Sequence, residues 1–243
     1  MGKLTNLLKY KKEIIVRDEK GSIARDEEGK PVMVYMRVIG DKDLEEAQTT
    51  GRIASAQRRA ALFDTESQDH LINVKIFNDA GPEECRATIV QASATGWSSE
   101  AYVVVELPEL PRIEEIAKDP DAPTLEELEK LDKAISDVNL DYKEKVTEYI
   151  QTRLTELQTE LEDKPVEELR ERAKTGIIIL LSIETYLNVV RDEKVWRSVY
   201  QDSSYSLKEF SSIEEFNNLH IKLKDQLRDE YENLEAGLDN VKN

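Results

Sequence analysis

The residue types that most often carry chemistry are sparse in this 243-residue chain and poorly spaced for it. There are two histidines, His70 and His220, and one cysteine, Cys85. Neither histidine stands four residues from a second ligand, and a single thiol cannot complete a zinc set. Both histidines read as polar or helix-start positions, and Cys85 as a small core residue. The stretch 18–29, with its acids and glycines, suggests a calcium loop at first sight. In that register position three is Lys20 and position twelve is Gly29. An EF-hand loop needs a carboxylate at twelve and no cation at three, so this is a charged hairpin loop. The chain has neither Gly-x-Ser-x-Gly nor Gly-x-x-x-x-Gly-Lys, and Thr95-Gly96-Trp97-Ser98 lacks a nucleophile's context. Acids number 51, so paired carboxylates arise throughout and carry no acid–base meaning without a pocket. The expectation is a protein that is not an enzyme, with no catalytic residue, metal ligand or cofactor site.

Charge narrows the partners. Lys and Arg total 34 against the 51 acids, a formal net charge of -17. A phosphate backbone must be met by clustered cations. The basic groups here, Lys9, Lys11 and Lys12, then Arg52, Arg58 and Arg59, are short and fit solvated faces. An anionic membrane would repel the chain as well. Neither nucleic acid nor membrane is expected as a partner. The N-terminus shows no apolar leader core. Gly2 lacks the hydroxyl at position 6 that myristoylation requires, since Asn6 stands there. The most apolar run, 176–190, is too short to span a bilayer and contains Glu184 and Asn188, so it reads as a buried helix.

The elements that would position any site are mostly helices. β-branched runs at 13–17 and 32–39 predict two strands around a polar loop containing Gly21 and Gly29, a hairpin, with Pro31 at the start of the second strand. A helix follows, capped by Asp41 or Asp43 and running to Phe63, with Gly51 in its interior. Residues 64–112 are ambiguous. Leu71, Ile72, Val74, Ile76 and Phe77 suit helix or strand. Gly81-Pro82-Glu83-Glu84 marks a helix start. Tyr102 to Leu107 is either a strand or the end of that helix. Pro108, Pro111, Pro120 and Pro123 mark a linker, because each removes an amide donor and extends its predecessor.

Beyond the linker, Thr124 and Glu127 form a capping box. Leu128, Leu131, Ile135, Val138, Tyr142, Val146 and Tyr149 then recur at three and four, continued by Ile150, Leu154, Leu157 and Leu161, with a break possible at Asn139 and Asp141. Lys164-Pro165 opens a central helix apolar on all sides at 177–181 and continuing to Trp196 and Tyr200. Residues 201–208 form a polar loop. Ser212 with Glu215 makes a second capping box before a short helix of Ile213, Phe216 and Leu219. The last helix carries Leu223, Leu227, Tyr231 and Leu234. No internal repeat is apparent. The fold expected is mainly α: a small α+β N-terminal domain with the hairpin over 1–107, a Pro-rich linker over 108–123, and an all-α domain over 124–243.

The order of these segments resembles the tail assembly chaperones of long-tailed bacteriophages. Three stretches carry the likeness. One is Val34-Tyr35-Met36-Arg37-Val38-Ile39-Gly40-Asp41 with the helix from Asp43 through Gln57-Arg58-Arg59-Ala60. Another is Leu107-Pro108-Glu109-Leu110-Pro111 before a long acidic helix. The third is Phe210-Ser211-Ser212-Ile213-Glu214-Glu215-Phe216 with Leu223 to Leu227 and Tyr231-Glu232-Asn233-Leu234. Residues 64–105 lie outside it.

The resemblance implies a chaperone in the host cell cytoplasm that coats the helical tape-measure protein and keeps it soluble. The tail-tube protein is a further candidate partner, and self-association remains open. The competing expectation is a structural virion component: a tail, neck or baseplate subunit. A helical enzyme or regulatory module is the other alternative. Anchor candidates for a protein partner are Trp196, Tyr200, Tyr205, Phe210 and Phe216, which cluster about one loop, with Leu227 and Tyr231 on the last stripe. A place in the core is the more expected role for these residues.

Overall fold

The computed structural model describes residues 11–119 and 123–242. The N-terminal residues weighed for a leader or a myristoyl group, Lys9 and Pro120 lie outside them. The fold is mainly α with a small three-stranded antiparallel sheet at the N-terminal part. Strand β1 (Lys11–Ile15) pairs with β2 (Met33–Arg37), placing Lys11 opposite Arg37 and Ile15 opposite Met33. Side chains alternate as the pleat requires. Ile14, Val34 and Met36 are buried, while Lys11, Glu13, Met33 and Arg37 face outward.

The connection between these strands holds a repeat that was not apparent from the chain's hydrophobic pattern. Arg17-Asp18-Glu19-Lys20-Gly21 recurs eight residues later as Arg25-Asp26-Glu27-Glu28-Gly29. Each copy folds as the same turn. Asp18 accepts the amides of Lys20 and Ser22 at 2.9 Å, and Asp26 accepts those of Glu28 and Lys30 at 3.0 and 2.8 Å. The Arg of each copy donates to the carbonyl of its own glycine. Both glycines sit at positive φ, +82° and +78°, where a side chain would be strained. The repeat also closes a ring of backbone bonds: Val16 donates to Val32, Val32 to Ala24 and Ala24 to Val16, at 2.9–3.0 Å.

Helix α1 (Asp41–Phe63) ends at Phe63 as expected, but Asp41 and Asp43 lie in its first turn and are not its cap: the Leu44 amide bonds to the Gly40 carbonyl. The ambiguous stretch holds helices and no strand up to Val104: α2 (Gln68–Asn73), a 3₁₀ turn (Lys75–Asn78) and α3 (Pro82–Val104), with Pro82 in the first turn; residues 105–112 are irregular. A single helical turn, α4 (Ile113–Ile116), lies in the Pro-rich stretch. Helix α5 (Leu125–Glu162) is unbroken. Asn139 and Asp141 do not interrupt it: Asp141 is exposed and pairs with Lys145 one turn on, at 2.7 Å, and the half-buried Asn139 sits within regular helix.

Helix α6 (Val166–Ser198) stops short of the expected Tyr200. Val199–Tyr200 is instead the two-residue strand β3, both residues buried, pairing with Met36 and Tyr35 of β2. By length and composition α6 as a whole could cross a membrane, although the apolar run 176–190 within it is shorter than a span. Leu169, Ala173, Ile178 and Val195 on it are core residues. Helices α7 (Ile213–Asn217) and α8 (Ile221–Lys242) close the chain. The second capping box does not form. The Ser212 hydroxyl caps no amide of α7, and Glu215 reaches back to the Ser211 amide at 2.7 Å.

The described chain divides into two compact units. The first takes residues up to Gln57 together with Glu184–Lys242; the second is Arg58–Ile183. The division falls within α1 and α6, and the stretch 108–123 lies inside the second unit.

The first unit packs its sheet on helices. Ile14, Val34 and Met36 meet Val195, Val199, Phe210, Phe216, Leu227, Tyr231 and Leu234 in one core. Gly51 on α1 belongs to the same unit and is needed there: a Cβ would come within 2.5 Å of Val190 Cγ2 and 3.0 Å of the Tyr186 ring. The free edge of β1 is closed by a side chain. Gln226 on α8 donates to the Ile15 carbonyl at 2.8 Å and accepts the Arg17 amide at 3.0 Å, as a neighbouring strand would.

The second unit holds smaller clusters: Leu62, Val74 and Ile178; Phe77, Cys85, Ile89, Leu157, Leu161 and Leu169; and Ala101, Tyr142 and Val146.

Candidate functional site

The seven anchor candidates all fall in the first unit. Phe216, Tyr231, Leu227, Tyr200 and Phe210 are buried in its core, Phe210 against Phe216 edge-to-face at 5.6 Å. In this conformation those five offer a partner no surface. Trp196 is partly buried and donates from its indole to Glu193 at 2.8 Å. Tyr205 stands at the rim, in the left-handed region at φ +59°. Burial raises the hydroxyl pKa of Tyr231 far above that of a free phenol, with Glu235 adding to the effect.

The loop around Tyr205 is organised by one carboxylate. Asp202 accepts from the Ser204 and Ser206 hydroxyls and from the amides of Ser204, Ser206 and Leu207, which holds its pKa well below the usual carboxylate range. This places Tyr205 edge-on to Tyr200 at 5.6 Å and to Tyr35 at 6.2 Å. Lys11 lies over the Tyr205 ring, and Arg37 and Lys208 over Tyr200, at 4.3–4.7 Å. The cations and rings satisfy one another, so the cluster reads as a small structural core on the outer sheet face.

The classes of chemical residue are used structurally. His70 Nδ1 lies 2.8 Å from the Leu62 carbonyl at the start of α2. Cys85 is fully buried, and burial pushes its thiol pKa up, away from nucleophilic reactivity. Burial also raises Glu209, beside Glu215. In the first unit Asp192 receives Arg228 at 2.7 Å, and Arg197 bridges Glu193 and Glu46. No group of three or more metal-ligating side chains occurs among the described residues.

The second unit carries surfaces of another kind. A shallow groove of about 690 Å³ runs along α5 past Leu140, Lys143, Thr147 and Gln151. One of about 660 Å³ lies between α3 and α6, lined by Ala92, Trp97, Glu100, Arg172, Gly176 and Ile179. Both are wide and open, without convergent polar groups deep inside, unlike a small-molecule site.

Helix α5 also runs on past its neighbour. Cys85 and Ile89 at the start of α3 pack with Leu157 and Leu161, and Ala101 near its end packs with Tyr142 and Val146. The first four turns of α5, residues 125–141, therefore extend beyond α3. Leu128, Leu131, Ile135 and Val138 form a stripe there. Leu128 is 44% exposed, Leu131 and Val138 are half-buried, and Ile135 is 8% exposed. What packs on this segment is the Pro-rich stretch: the α4 turn lies against α5, and the Lys118 amide donates to Glu127 at 3.1 Å.

At the tip of α5 the capping box is complete. The Thr124 amide donates to Glu127 at 2.9 Å, and the Glu127 amide to the Thr124 hydroxyl at 3.3 Å. The Thr124 and Lys118 amides together draw the Glu127 carboxyl down to about 2. No protein-family model matches this chain, and neither a curated protein nor a solved structure matches it.

Proposed function

We propose that this chain is a non-catalytic, protein-binding chaperone of phage tail assembly, acting in the host cytoplasm to keep the tape-measure protein soluble before the tail-tube protein polymerises around it. The observation that carries this reading is the α5 segment 125–141. It is an amphipathic helix whose apolar stripe is incompletely covered by its own chain. A long helical partner exposes apolar stripes of its own, and laying one on another removes both from water. The net charge of -17 would then keep coated complexes apart. The phage context comes from the resemblance in segment order.

Co-expression with the longest coiled-coil-like protein encoded nearby, followed by size exclusion with light scattering, tests it. The expected result is a partner that is soluble only in complex with this chain. A partner indifferent to it, together with this chain inside purified particles, would favour a structural virion component instead.

A further inference from the structure

The end of α6 holds a conflict between helix and strand. Spacing favours helix there. Val195 and Val199 stand four residues apart, as do Trp196 and Tyr200, so the helical pattern runs on to Tyr200. Residue type favours strand, since Val and Tyr both suit a pleated surface. The fold takes the strand. Positions where local pattern and fold disagree are where strain or function is expected.

Named contacts stop the helix. A continuing helix would bond the Val199 amide to the Val195 carbonyl and the Gln201 amide to the Arg197 carbonyl. The buried Ser198 hydroxyl donates to the Val195 carbonyl at 2.6 Å, and the Lys208 ammonium donates to the Arg197 carbonyl. The Gln201 amide turns to the Leu207 carbonyl at 2.9 Å, and the Glu209 amide to the Val199 carbonyl at 3.1 Å. The loop that supplies these groups is strained at one point. Tyr205 is the one non-glycine at positive φ among the described residues, a conformation that a bulky side chain disfavours. Two things hold it there. Asp202 gathers the amides of Ser204, Ser206 and Leu207, and the Tyr205 ring packs edge-on against Tyr200 and Tyr35.

We propose that the loop 201–208 is a clasp that selects strand over helix for residues 199–201, so that opening it lets α6 run on to Gln201 and frees the β2 edge at Tyr35. Closed, the clasp keeps Val199 in the core of the first unit and Tyr200 buried beneath Tyr205 and Lys208. Open, it releases the strain at Tyr205 and adds helical bonds to α6. The closed form is the one this structure holds, and whatever binds one form better shifts the balance between them. The device lies wholly within the first unit and does not depend on what the second unit binds.

The test uses the full chain with Asp202→Ala and Lys208→Met together. They remove the carboxylate that organises the loop and the ammonium that occupies the Arg197 carbonyl. The readings are the Cα chemical shifts of residues 199–201 and amide exchange at Tyr35 and Tyr200, which pair across the strands. The shifts are expected to move from strand values towards helix, and exchange at both amides to quicken by about tenfold. Adding Gln201→Gly, which disfavours helix, should reverse the move in the shifts while exchange stays fast. Shifts that remain strand-like overturn the proposal. So do shifts that fall to random-coil values, because the loop then only anchors the strand and no helical form competes with it. A helical shift that Gln201→Gly leaves undiminished overturns it as well. If circular dichroism shows that the double variant does not fold, Lys208→Met alone, at an exposed position, decides by the same readings.

Discussion

The two units of this chain close their cores in different ways. In the first, large aromatic residues meet a sheet: Phe216, Phe210 and Tyr231 fill the space between β-strands and helices, and Tyr200 packs on the other sheet face with Tyr205. Ion pairs such as Arg228–Asp192 and Arg197–Glu46 border them, and Gln226 closes the strand edge. In the second, the core is split into small clusters along long helices, and α5 extends past the helix that packs on it. A core built from interlocking large residues tolerates little change. A helix covered by one short turn keeps part of its apolar face, Leu128, in water. On the proposed function, the first unit supplies architecture and the second the surface for a partner.

Substitutions should sharpen that contrast, in descending order of cost. Phe216→Ala empties a fully buried aromatic position and is expected to cost about 3–5 kcal/mol in denaturant unfolding. A loss below about 1 kcal/mol would mean the aromatic core is not what holds the first unit. Gly51→Ala forces a methyl group against Val190 and Tyr186 and should cost about 1–3 kcal/mol, whereas the same change at an exposed helix site would stabilise.

Thr124→Ala removes one half of the α5 cap, at a cost of about 1 kcal/mol. Glu127, the other half, has its pKa depressed from 4.5 to about 2. Its contribution is therefore present above pH 4.5 and is lost as pH falls from there through about 2. Amide protection in the first turns of α5 should decline over that window, and Glu127→Gln should flatten the decline. The smallest effect belongs to Leu128→Glu, which should change stability by no more than about 0.5 kcal/mol while weakening capture of the co-expressed partner. A large loss of stability there would show the stripe to be core after all.

Local signals were legible in the chain; long-range ones were not. Pro82 with its two acids, the Thr124–Glu127 box and Lys164-Pro165 each act within a turn of helix, so they place α3, α5 and α6 without knowledge of anything distant. Val199 and Tyr200 fail for the opposite reason. Their strand exists because Tyr35 and Met36, more than 160 residues earlier, offer an edge. Ser212 and Glu215 have capping-box spacing, but Glu215 takes the Ser211 amide instead.

The tandem Arg-Asp turns escaped because a hydrophobic pattern does not register polar repeats. The interleaving of chain ends in the first unit has no local signature at all. Of the site, the α5 stripe was visible in the spacing of Leu128, Leu131, Ile135 and Val138. Its partial cover was not, because that depends on where α3 ends. The aromatic residues about 196–216 stood out by type, and the fold uses most of them internally.

Hydrogen–deuterium exchange on the complex purified after co-expression tests the central claim most directly. The account predicts that bound partner slows exchange along residues 125–141 and leaves the sheet and α8 unchanged. Protection concentrated on the sheet or α8, with 125–141 unaffected, would contradict it.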